Sequence, residues 1–387
     1  MRGKAWIGFA ALLPCILSAQ PDVSSREPVA SLTTSCSVQM WRMEAGDHRV
    51  VNQVSFPVLL TAPVGRDIRL AIQHTPAMSR WYGGYKINGT SDTWIQGSYL
   101  HPNKTLLLNF GLGVPTGKTR LNNEEFELGQ IISQNFFRFS LPVYGQGLCG
   151  RAGAAGAFPL GEKAVLGVGG QYLMRGRYNP VEYRYEFDGI VKTADEAYEP
   201  GDEATAQIGL DVRLDDHFKL MADAEYTFYQ KDMLGDKEIF QAGAKTTIGI
   251  GLYREFDRQY WMALFTARFN DKIQTLQGLK LEEAPGKPQG SQLEMNAVYK
   301  VIAFREGGLF LLADARYYSR QTVKVLYVTR SDLDGFAAGA GFGVQFTLWE
   351  NALGDMRIKF LGGNLESNGN RSGLFGMDAG FGVKLLL

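Results

Sequence analysis

The sequence predicts an all-β protein: a transmembrane antiparallel up-and-down β-barrel of about 14–16 strands, with a short helix in a long outer loop. Three observations lead to this fold class. Apolar and charged residues alternate along many segments, most of these segments are longer than soluble strands, and the connections alternate between tight and long. A large soluble periplasmic β protein is the alternative, because a solvated outer face would tolerate the same charges.

The alternation is clearest in residues 217–230, where Phe218, Leu220 and Ala222 interleave with Lys219, Met221 and Asp223. Successive side chains of a strand point to opposite faces, so one face of this strand is apolar and the other is charged. The same pattern predicts sixteen strands, at residues 33–43, 49–61, 67–76, 92–102, 104–113, 146–159, 163–175, 204–214, 217–230, 239–253, 259–270, 291–304, 309–320, 334–348, 355–364 and 374–387. The first strand and the 92–113 hairpin have the weakest pattern, so fourteen strands is the alternative count.

Strand length separates a membrane barrel from a soluble sandwich. Soluble strands have about 5–6 residues, whereas a tilted membrane strand needs about 9–11. Most of the predicted strands reach this membrane length. The predicted connections are tight at 62–66, 101–104, 160–163, 215–217, 255–259, 305–308 and 350–355, and long at 77–91, 114–145, 176–203, 231–238, 271–290, 321–333 and 365–373. This alternation is typical of a barrel with short periplasmic turns and long outer loops.

The N-terminus indicates export. Arg2 and Lys4 precede an apolar stretch at residues 5–17, and Ala19 is small, so residues 1–19 are predicted to be a signal peptide. A lipoprotein start at Cys15 is the alternative, but Pro14 differs from the small residue that it requires. We predict a short periplasmic lead-in at residues 20–33 and a barrel at residues 34–387. The predicted location is the outer membrane of a Gram-negative bacterium.

Composition excludes several classes of function. Lys plus Arg equals Asp plus Glu at 40 each, so no basic field attracts nucleic acid. After export only Cys36 and Cys149 remain, too few for a disulfide framework. His48, His74, His101 and His217 show no metal-ligand spacing, and no nucleophile elbow occurs in the exported chain. We therefore predict no catalytic site, no metal site and no cofactor, and a protein that is not an enzyme.

The charged face of the strands predicts the wall of an aqueous lumen. Opposite charges on neighbouring strands would also pair and stabilise the interior, so these residues have a structural interpretation as well. The predicted lumen-lining residues are Arg69, Arg151, Asp211, Arg213, Asp223, Glu225, Lys245, Arg268, Glu294, Lys300, Asp314, Arg316, Arg357, Lys359, Asp378 and Lys384.

Residues 122–140 depart from the strand period. Asn122 or Asn123 would cap a helix whose first turn holds Glu124 and Glu125. The apolar residues mostly follow helical spacing, and the segment lies in the longest connection. Residues predicted to bind a solute are Phe126, Leu128, Ile131, Ile132, Phe136 and Phe137. Alternatively, the helix packs against the barrel wall.

Two other motifs have simpler interpretations. Residues 113–119 resemble a phosphate loop, but only three residues separate Gly113 from Gly117 where the motif needs four. An outer turn is the better prediction. The loop 176–203 is rich in tyrosine and acidic residues, which favours a solvated hairpin over a calcium site because the ligand spacing of an EF-hand is absent.

Residues 109–118 (NFGLGVPTGK) resemble a segment of the outer-membrane transport barrels named for a phenol meta-cleavage pathway, a group similar to the long-chain fatty acid and toluene-type transporters. The resemblance implies passive diffusion of hydrophobic molecules across the outer membrane. The fatty acid transporters have an N-terminal hatch with an Asn-Pro-Ala element, whereas residues 20–33 are shorter and lack it.

Together these observations predict an outer-membrane β-barrel channel for passive uptake of small, hydrophobic molecules. The alternatives are a general diffusion porin and a structural or adhesive surface barrel. The predicted partners are outer-membrane lipid, the barrel-assembly machinery and a small-molecule solute, without nucleic acid. The chain ends in Leu387, whereas outer-membrane barrels usually end in an aromatic residue that the assembly machinery recognises.

Overall fold

The structure is a computed structural model that describes residues 29–44, 49–82, 84–180, 183–187, 190–194, 197–256, 259–277, 280–284, 290–304, 307–325, 328–330 and 332–387. The predicted signal peptide lies outside the described residues, as does most of the predicted lead-in. The first strand begins at Ser31, so the last residues of the predicted lead-in belong to the barrel.

The described residues form one helix and 28 strands. In chain order these are β1 (Ser31–Met43), β2 (Arg49–Ser55), β3 (Val58–Pro63), β4 (Ile68–His74), β5 (Pro76–Trp81), β6 (Lys86–Thr90), β7 (Thr93–Leu100), β8 (Leu106–Val114), α1 (Asn123–Ile132), β9 (Cys149–Leu160), β10 (Ala164–Arg175), β11 (Tyr183–Phe187), β12 (Ile190–Ala194), β13 (Tyr198–Glu199), β14 (Glu203–Arg213), β15 (Phe218–Tyr229), β16 (Lys231–Leu234), β17 (Lys237–Gln241), β18 (Lys245–Phe256), β19 (Gln259–Asn270), β20 (Gln274–Gln277), β21 (Lys280–Glu283), β22 (Ser291–Phe304), β23 (Gly307–Arg320), β24 (Val323–Val325), β25 (Val328–Arg330), β26 (Leu333–Trp349), β27 (Ala352–Ser367) and β28 (Asn370–Leu386).

Nineteen of these strands form one closed antiparallel barrel. Three barrel strands are interrupted and consist of two pieces each, namely β2 with β3, β4 with β5, and β6 with β7, so the barrel has sixteen strands. Each strand pairs with its sequence neighbour, and β28 pairs with β1 from Ser31↔Leu386 to Met43↔Leu374. The predicted up-and-down barrel is confirmed, and the count is sixteen rather than fourteen.

The outer face of the barrel is apolar. Large hydrophobic side chains are exposed at alternate positions around the barrel, including Leu70, Phe110, Phe158, Val168, Ile208, Tyr226, Ile250, Phe265, Leu311, Phe342, Phe360 and Phe375. A closed barrel with this surface satisfies every backbone group within the wall and offers lipid an apolar belt. Among the described residues, no helix has the length and hydropathy needed to cross a membrane.

A β-bulge interrupts the barrel strand made of β6 and β7. Pro76 pairs with Thr90, but Gln73 pairs with Trp94, so two residues of one strand face three residues of the next. The extra residue bends the strand and changes which side chains point inward. As a result Asp92, between β6 and β7, is buried, with 7% of its surface exposed.

Two predicted long loops are wrong. Residues 77–91 hold β5 and β6, which extend the third and fourth barrel strands. Residues 365–373 hold the ends of β27 and β28, joined by Asn368 and Gly369 with φ of 50° and 74°. Two adjacent residues with positive φ make the tight hairpin turn that Asn-Gly favours. The Asn-Gly turn signal was present in the sequence, but β27 and β28 extend beyond the predicted strand ends.

Two other boundaries differ from the prediction. The strand predicted at residues 239–253 begins at Lys245, because Lys237–Gln241 forms β17 outside the barrel. The helix predicted within residues 122–140 ends at Ile132. Beyond the barrel, β13, β16, β17, β20 and β21 form a small sheet from the long connections above β14 to β22.

Candidate functional site

The connection between β8 and β9, residues 115–148, folds inside the barrel and is called the plug here. The carboxylate of Asp92 holds its two ends together. Asp92 Oδ1 accepts from Gly117 N at 2.9 Å, and Asp92 Oδ2 accepts from Gln146 N at 2.6 Å. A Cβ at Gly117 would lie 2.5 Å from Tyr144 O, so the two chains pass too closely here for a side chain. Asp92, Gly117 and Gln146 therefore form the neck of the plug.

The helix α1 lies near the start of the plug, and of the two predicted caps, Asn122 and Asn123, it is Asn122 that caps it. Asn122 Oδ1 accepts from Glu125 N at 2.9 Å, and Glu125 Oε2 accepts from Asn122 N at 3.1 Å, which is a complete capping box. Lys118 forms an ion pair with the same Glu125. Leu128 and Ile132, three and seven residues after Glu125 and therefore on the same face of the helix, are buried. They turn α1 toward the barrel wall at β5 and β6.

After the helix, the plug backbone crosses the inner wall. Five wall side chains donate hydrogen bonds to plug carbonyls: Gln292 to Asn135 at 3.3 Å, Arg316 to Phe136 at 2.8 Å, Trp41 to Phe137 at 3.0 Å, Gln39 to Arg138 at 2.9 Å and Gln53 to Leu141 at 2.8 Å. These donors come from β1, β2, β22 and β23. One short segment reaches strands so far apart in the sheet only because it lies within the barrel.

Gln39 and Gln53 each bind both a carbonyl and an N–H group of the plug backbone. Gln39 Oε1 accepts from Ser140 N at 2.6 Å, and Gln53 Oε1 accepts from Leu141 N at 2.8 Å. Each side-chain amide therefore replaces the neighbouring strand that this piece of plug backbone lacks. A buried backbone group without such a partner would be destabilising, so Gln39 and Gln53 set the path of the plug.

An apolar recess on the inner wall receives the plug side chains. It consists of buried residues contributed by β1, β2, β5, β6, β23, β26, β27 and β28: Trp41, Val51, Ala77, Ile87, Tyr318, Ala337, Leu361, Leu365 and Leu374. Phe136 and Phe137 fill it, with ring centroids 5.9 and 5.6 Å from that of Trp41. Phe136 is fully buried. An apolar patch of this size is unexpected inside a barrel whose interior is otherwise polar.

A network of charges continues from the plug around the wall. Glu294 lies between Arg268 and Arg138 of the plug, each at 2.9 Å. Asp314 contacts Arg316 at 2.9 Å, Lys359 at 3.4 Å and Arg138 at 3.6 Å. Arg138 adopts a φ of 53°, a conformation uncommon for residues other than glycine. In that conformation its guanidinium reaches two buried carboxylates, which compensates their charge.

The remaining inner wall is open. The plug contacts the inner faces of β22, β23, β26 to β28, β1, β2, β5 and β6, whereas the inner faces of β8 to β15 hold exposed polar residues such as Asn109, Gln171 and Asp223. Among the described residues, Arg151 makes no ion pair and lies over the Trp94 ring at 5.2 Å. The lumen therefore has one wall covered by the plug and one polar wall in contact with solvent.

The structure brings the six predicted solute-binding residues together in the plug. Leu128, Ile132, Phe136 and Phe137 are buried among the recess residues, while Phe126 and Ile131 are half-buried. Their apolar surface is used by packing against the wall, which was the alternative interpretation. A solute can reach this surface only if the plug moves.

The register places the sixteen predicted lumen residues on the face opposite to the exposed apolar side chains. Glu294, Asp314 and Arg316 are buried under the plug. Arg69, Arg151, Asp211, Arg213, Asp223, Lys300 and Lys384 lie away from the charge network, and Glu225 pairs with Lys245 at 3.7 Å. The set is therefore divided between a structural network and an open wall.

Several residues that bind the plug could not be predicted from the sequence. Gln39, Gln53 and Trp41 lie at the inward positions of β1 and β2, but neutral polar and aromatic residues give no signal of their own. Asp92 falls at a bulge that period-two analysis does not detect. Arg138, a single cation within the aromatic run 136–139, was the one available signal for a buried ion pair.

Tyr144 closes the plug near its neck. Its hydroxyl bonds Ser79 Oγ at 2.9 Å and Ile87 O at 3.1 Å. Burial raises the pKa of Tyr144 to about 12. In the outer sheet, burial likewise raises the pKa of Tyr178 to about 12 and raises the pKa of the Asp232 carboxyl, which accepts from Gly201 N at 2.7 Å.

The predicted acidic loop 176–203 lies only partly within the described residues. Of its acids, Glu199 pairs with Arg177 and Glu203 pairs with Arg175. In the described part of the chain, no three His, Cys, Asp or Glu residues are grouped as a metal ion requires. A groove lies beside Lys118, Arg120 and the N-terminus of α1.

No model of a known protein family matches the chain, and no curated protein does. Solved structures do match. Pseudomonas putida OprB at high pH covers 93% of this chain and 94% of its own, at 9% identity and a TM-score of 0.46. A mutant of the TodX monoaromatic hydrocarbon channel aligns with 94% of this chain over 91% of its own length, at 12% identity and a TM-score of 0.45. A bacterial polysaccharide outer membrane secretin aligns with 94% of this chain over 99% of its own length, at 10% identity and a TM-score of 0.45. Similarity at this level leaves the function to be inferred from the site.

Proposed function

We propose that this protein is an outer-membrane channel through which small apolar molecules enter passively. The observation that carries the proposal is the apolar recess inside the lumen, which the plug fills with Phe136 and Phe137. A channel for polar solutes does not require the apolar surface that Trp41, Leu361 and Leu365 give to the inner face. The recess is the kind of surface that an apolar solute would seek on leaving water.

Passage would occur by exchange between the solute and the plug side chains. Burying a large apolar side chain contributes about 1.5–3 kcal/mol. A solute ring that takes the place of Phe136 gains a similar amount, which offsets the loss of Phe136 burial. A solute without an apolar ring gains nothing in the recess and leaves the plug in place. This difference gives selectivity without energy coupling.

We propose the outer membrane as the location, with its lipid and the barrel-assembly machinery as partners. The apolar belt around the barrel fits outer-membrane lipid, and insertion of a closed barrel would require the barrel-assembly machinery. The C-terminal residue Leu387 is exposed and donates its backbone N–H to Ala30 O at 2.8 Å. This hydrogen bond extends the pairing of β28 with β1 beyond Ser31↔Leu386.

A general diffusion porin is the second candidate. It is favoured by one observation, the exposed polar residues Asn109, Gln171 and Asp223 on the wall that the plug does not cover. A path along this wall would admit polar solutes and ions without movement of the plug.

Conductance and uptake separate the two functions. In planar bilayers we expect the full-length mature protein to show a small conductance, which rises when residues 124–142 are replaced by a short Gly-Ser linker. In cells, we expect faster uptake of toluene at low concentration when the protein is present, and unchanged uptake of a sugar. A large steady conductance of the intact protein would exclude the proposal in favour of a porin.

A further inference from the structure

The recess contains two buried hydrogen-bond donors beside its aromatic surface. Arg316 Nη1 donates to Phe136 O at 2.8 Å, and Trp41 Nε1 donates to Phe137 O at 3.0 Å. Arg316 and Trp41 expose only 5% and 2% of their surface. The plug therefore supplies the recess with two things at once, an aromatic ring and an adjacent oxygen acceptor.

A hydrocarbon that displaced the plug would supply only the first of these. It would cover the guanidinium and the indole N–H without accepting their hydrogen bonds, and buried donors left unpaired are strongly disfavoured. A solute with a ring and an oxygen acceptor would replace both contacts. Arginine binds carboxylate particularly well, through charge-assisted hydrogen bonds.

The charge of Arg316 remains available to such a solute. Its Nε is bonded to Asp314 Oδ1 at 2.9 Å, which directs Nη1 toward the plug carbonyl. Asp314 is also paired with Lys359 at 3.4 Å, so its negative charge is compensated even without the plug. An approaching carboxylate would therefore meet a cation whose orientation is already set.

We propose that the recess selects aromatic molecules that bear a carboxylate or carbonyl oxygen, with the ring in the place of Phe136 or Phe137 and the oxygen bound by Arg316 and Trp41. This inference rests on the proposed channel function and names its substrate class. The plug residues are then internal substitutes for the solute.

The test compares uptake of benzoate, toluene and acetate by cells that carry the full-length protein, at pH 8, relative to cells that lack it. Trp41→Phe keeps the ring and removes the indole donor. We expect it to lower the ratio of benzoate to toluene uptake about threefold to tenfold, and Arg316→Gln to lower it about tenfold or more. Because both changes also loosen the plug, toluene uptake should stay constant or rise.

Two matched variants serve as controls. Trp94→Phe alters an inward tryptophan outside the recess, and Arg151→Gln alters the inward arginine that lies over its ring. Both should leave the benzoate to toluene ratio unchanged. Heat-modifiable migration in gels verifies that each barrel has folded.

The outcomes distinguish the two proposals. If toluene uptake depends on the protein but the ratio is the same in wild type, Trp41→Phe and Arg316→Gln, the substrate class is wrong and the channel function stands. If neither benzoate nor toluene enters faster than in cells without the protein, the channel function itself is wrong. Acetate entry as fast as benzoate entry would indicate a general porin.

Discussion

The guanidinium of Arg316 stacks over the indole ring of Trp41, with its central carbon 5.3 Å from the ring centroid. Arg316 belongs to β23 and Trp41 to β1, and three strands, β26 to β28, separate them around the barrel. Long side chains bridge this distance across the curved wall. The pair places the guanidinium and indole N–H donors side by side, where they bind the carbonyls of Phe136 and Phe137.

Gly376 leaves room for the Trp41 ring, and substitution there should loosen the plug. A Cβ at Gly376 would lie 2.6 Å from the Trp41 ring, so Gly376→Val displaces the indole from Phe137 O. We expect the plug to be destabilised by about 1–3 kcal/mol, measured as faster protease cleavage within residues 124–142. Gly362→Val is the control, because no atom lies within 4 Å of its Cβ. Equal cleavage of both variants would contradict this role.

The neck of the plug should depend on the Asp92 carboxylate. Asp92→Ala removes the acceptor for Gly117 N and Gln146 N, and hydrogen bonds to charged groups contribute about 1.5–3 kcal/mol each. We expect longer and more frequent open states in planar bilayers. Asp215→Ala removes a similar carboxylate, which accepts from His217 N and Phe218 N at the opposite rim. The Asp215 variant should leave gating as in wild type; a matching change there would assign the effect to general instability.

Alkaline pH should release the plug through Tyr144. The pKa of Tyr144 is raised by burial from its usual 10.0 to about 12. Its stabilising contribution is therefore fully present below pH 10 and is lost as the pH rises toward 12, by about 2–3 kcal/mol. We expect conductance to rise between pH 10 and about 12.

Tyr144→Phe provides the control for this titration, since it removes the ionisable group and keeps the ring. The variant should lack the Tyr144 part of the alkaline rise. Its conductance at neutral pH should be slightly higher, because the hydrogen bonds to Ser79 and Ile87 are lost. An alkaline rise identical in the two proteins would assign the transition to other groups.

The ion pair between Arg138 and Glu294 should couple the plug to the wall. Glu294 is buried, so removal of Arg138 leaves it with Arg268 as its remaining cation. In a double-mutant cycle of Arg138→Met and Glu294→Gln, we expect a coupling energy of about 1–3 kcal/mol for plug release. The readout is the urea concentration at which the plug becomes cleavable by protease.

The pair of Lys245 and Glu225 serves for comparison. These residues lie 3.7 Å apart on the wall away from the plug, so their double-mutant cycle should show no coupling in plug release. Coupling of similar size in both cycles would mean that charge removal destabilises the whole barrel.

The sequence by itself determined the barrel. Alternation along 217–230 and its repeats predicted which side chains of β15, β22 and β23 face each way, because a strand allows only two faces. The residues at 122–125 likewise predicted the start of α1 to within one residue, since the contacts between Asn122 and Glu125 lie within one turn. Strand ends were less well predicted at 77–91 and 365–373, where strands continue beyond the length that a bilayer requires.

Only the tertiary structure decided what the lumen contains. Trp41, Gln53, Asp92 and Arg316 are far apart in sequence, and they meet at the plug because the barrel closes and curves. Hydrogen bonds from Gln39 and Gln53 to the plug depend on distances across the barrel that no local pattern encodes. Periodicity reports the direction of a side chain relative to its own strand, whereas the recess arises from the packing of one loop against several strands at once.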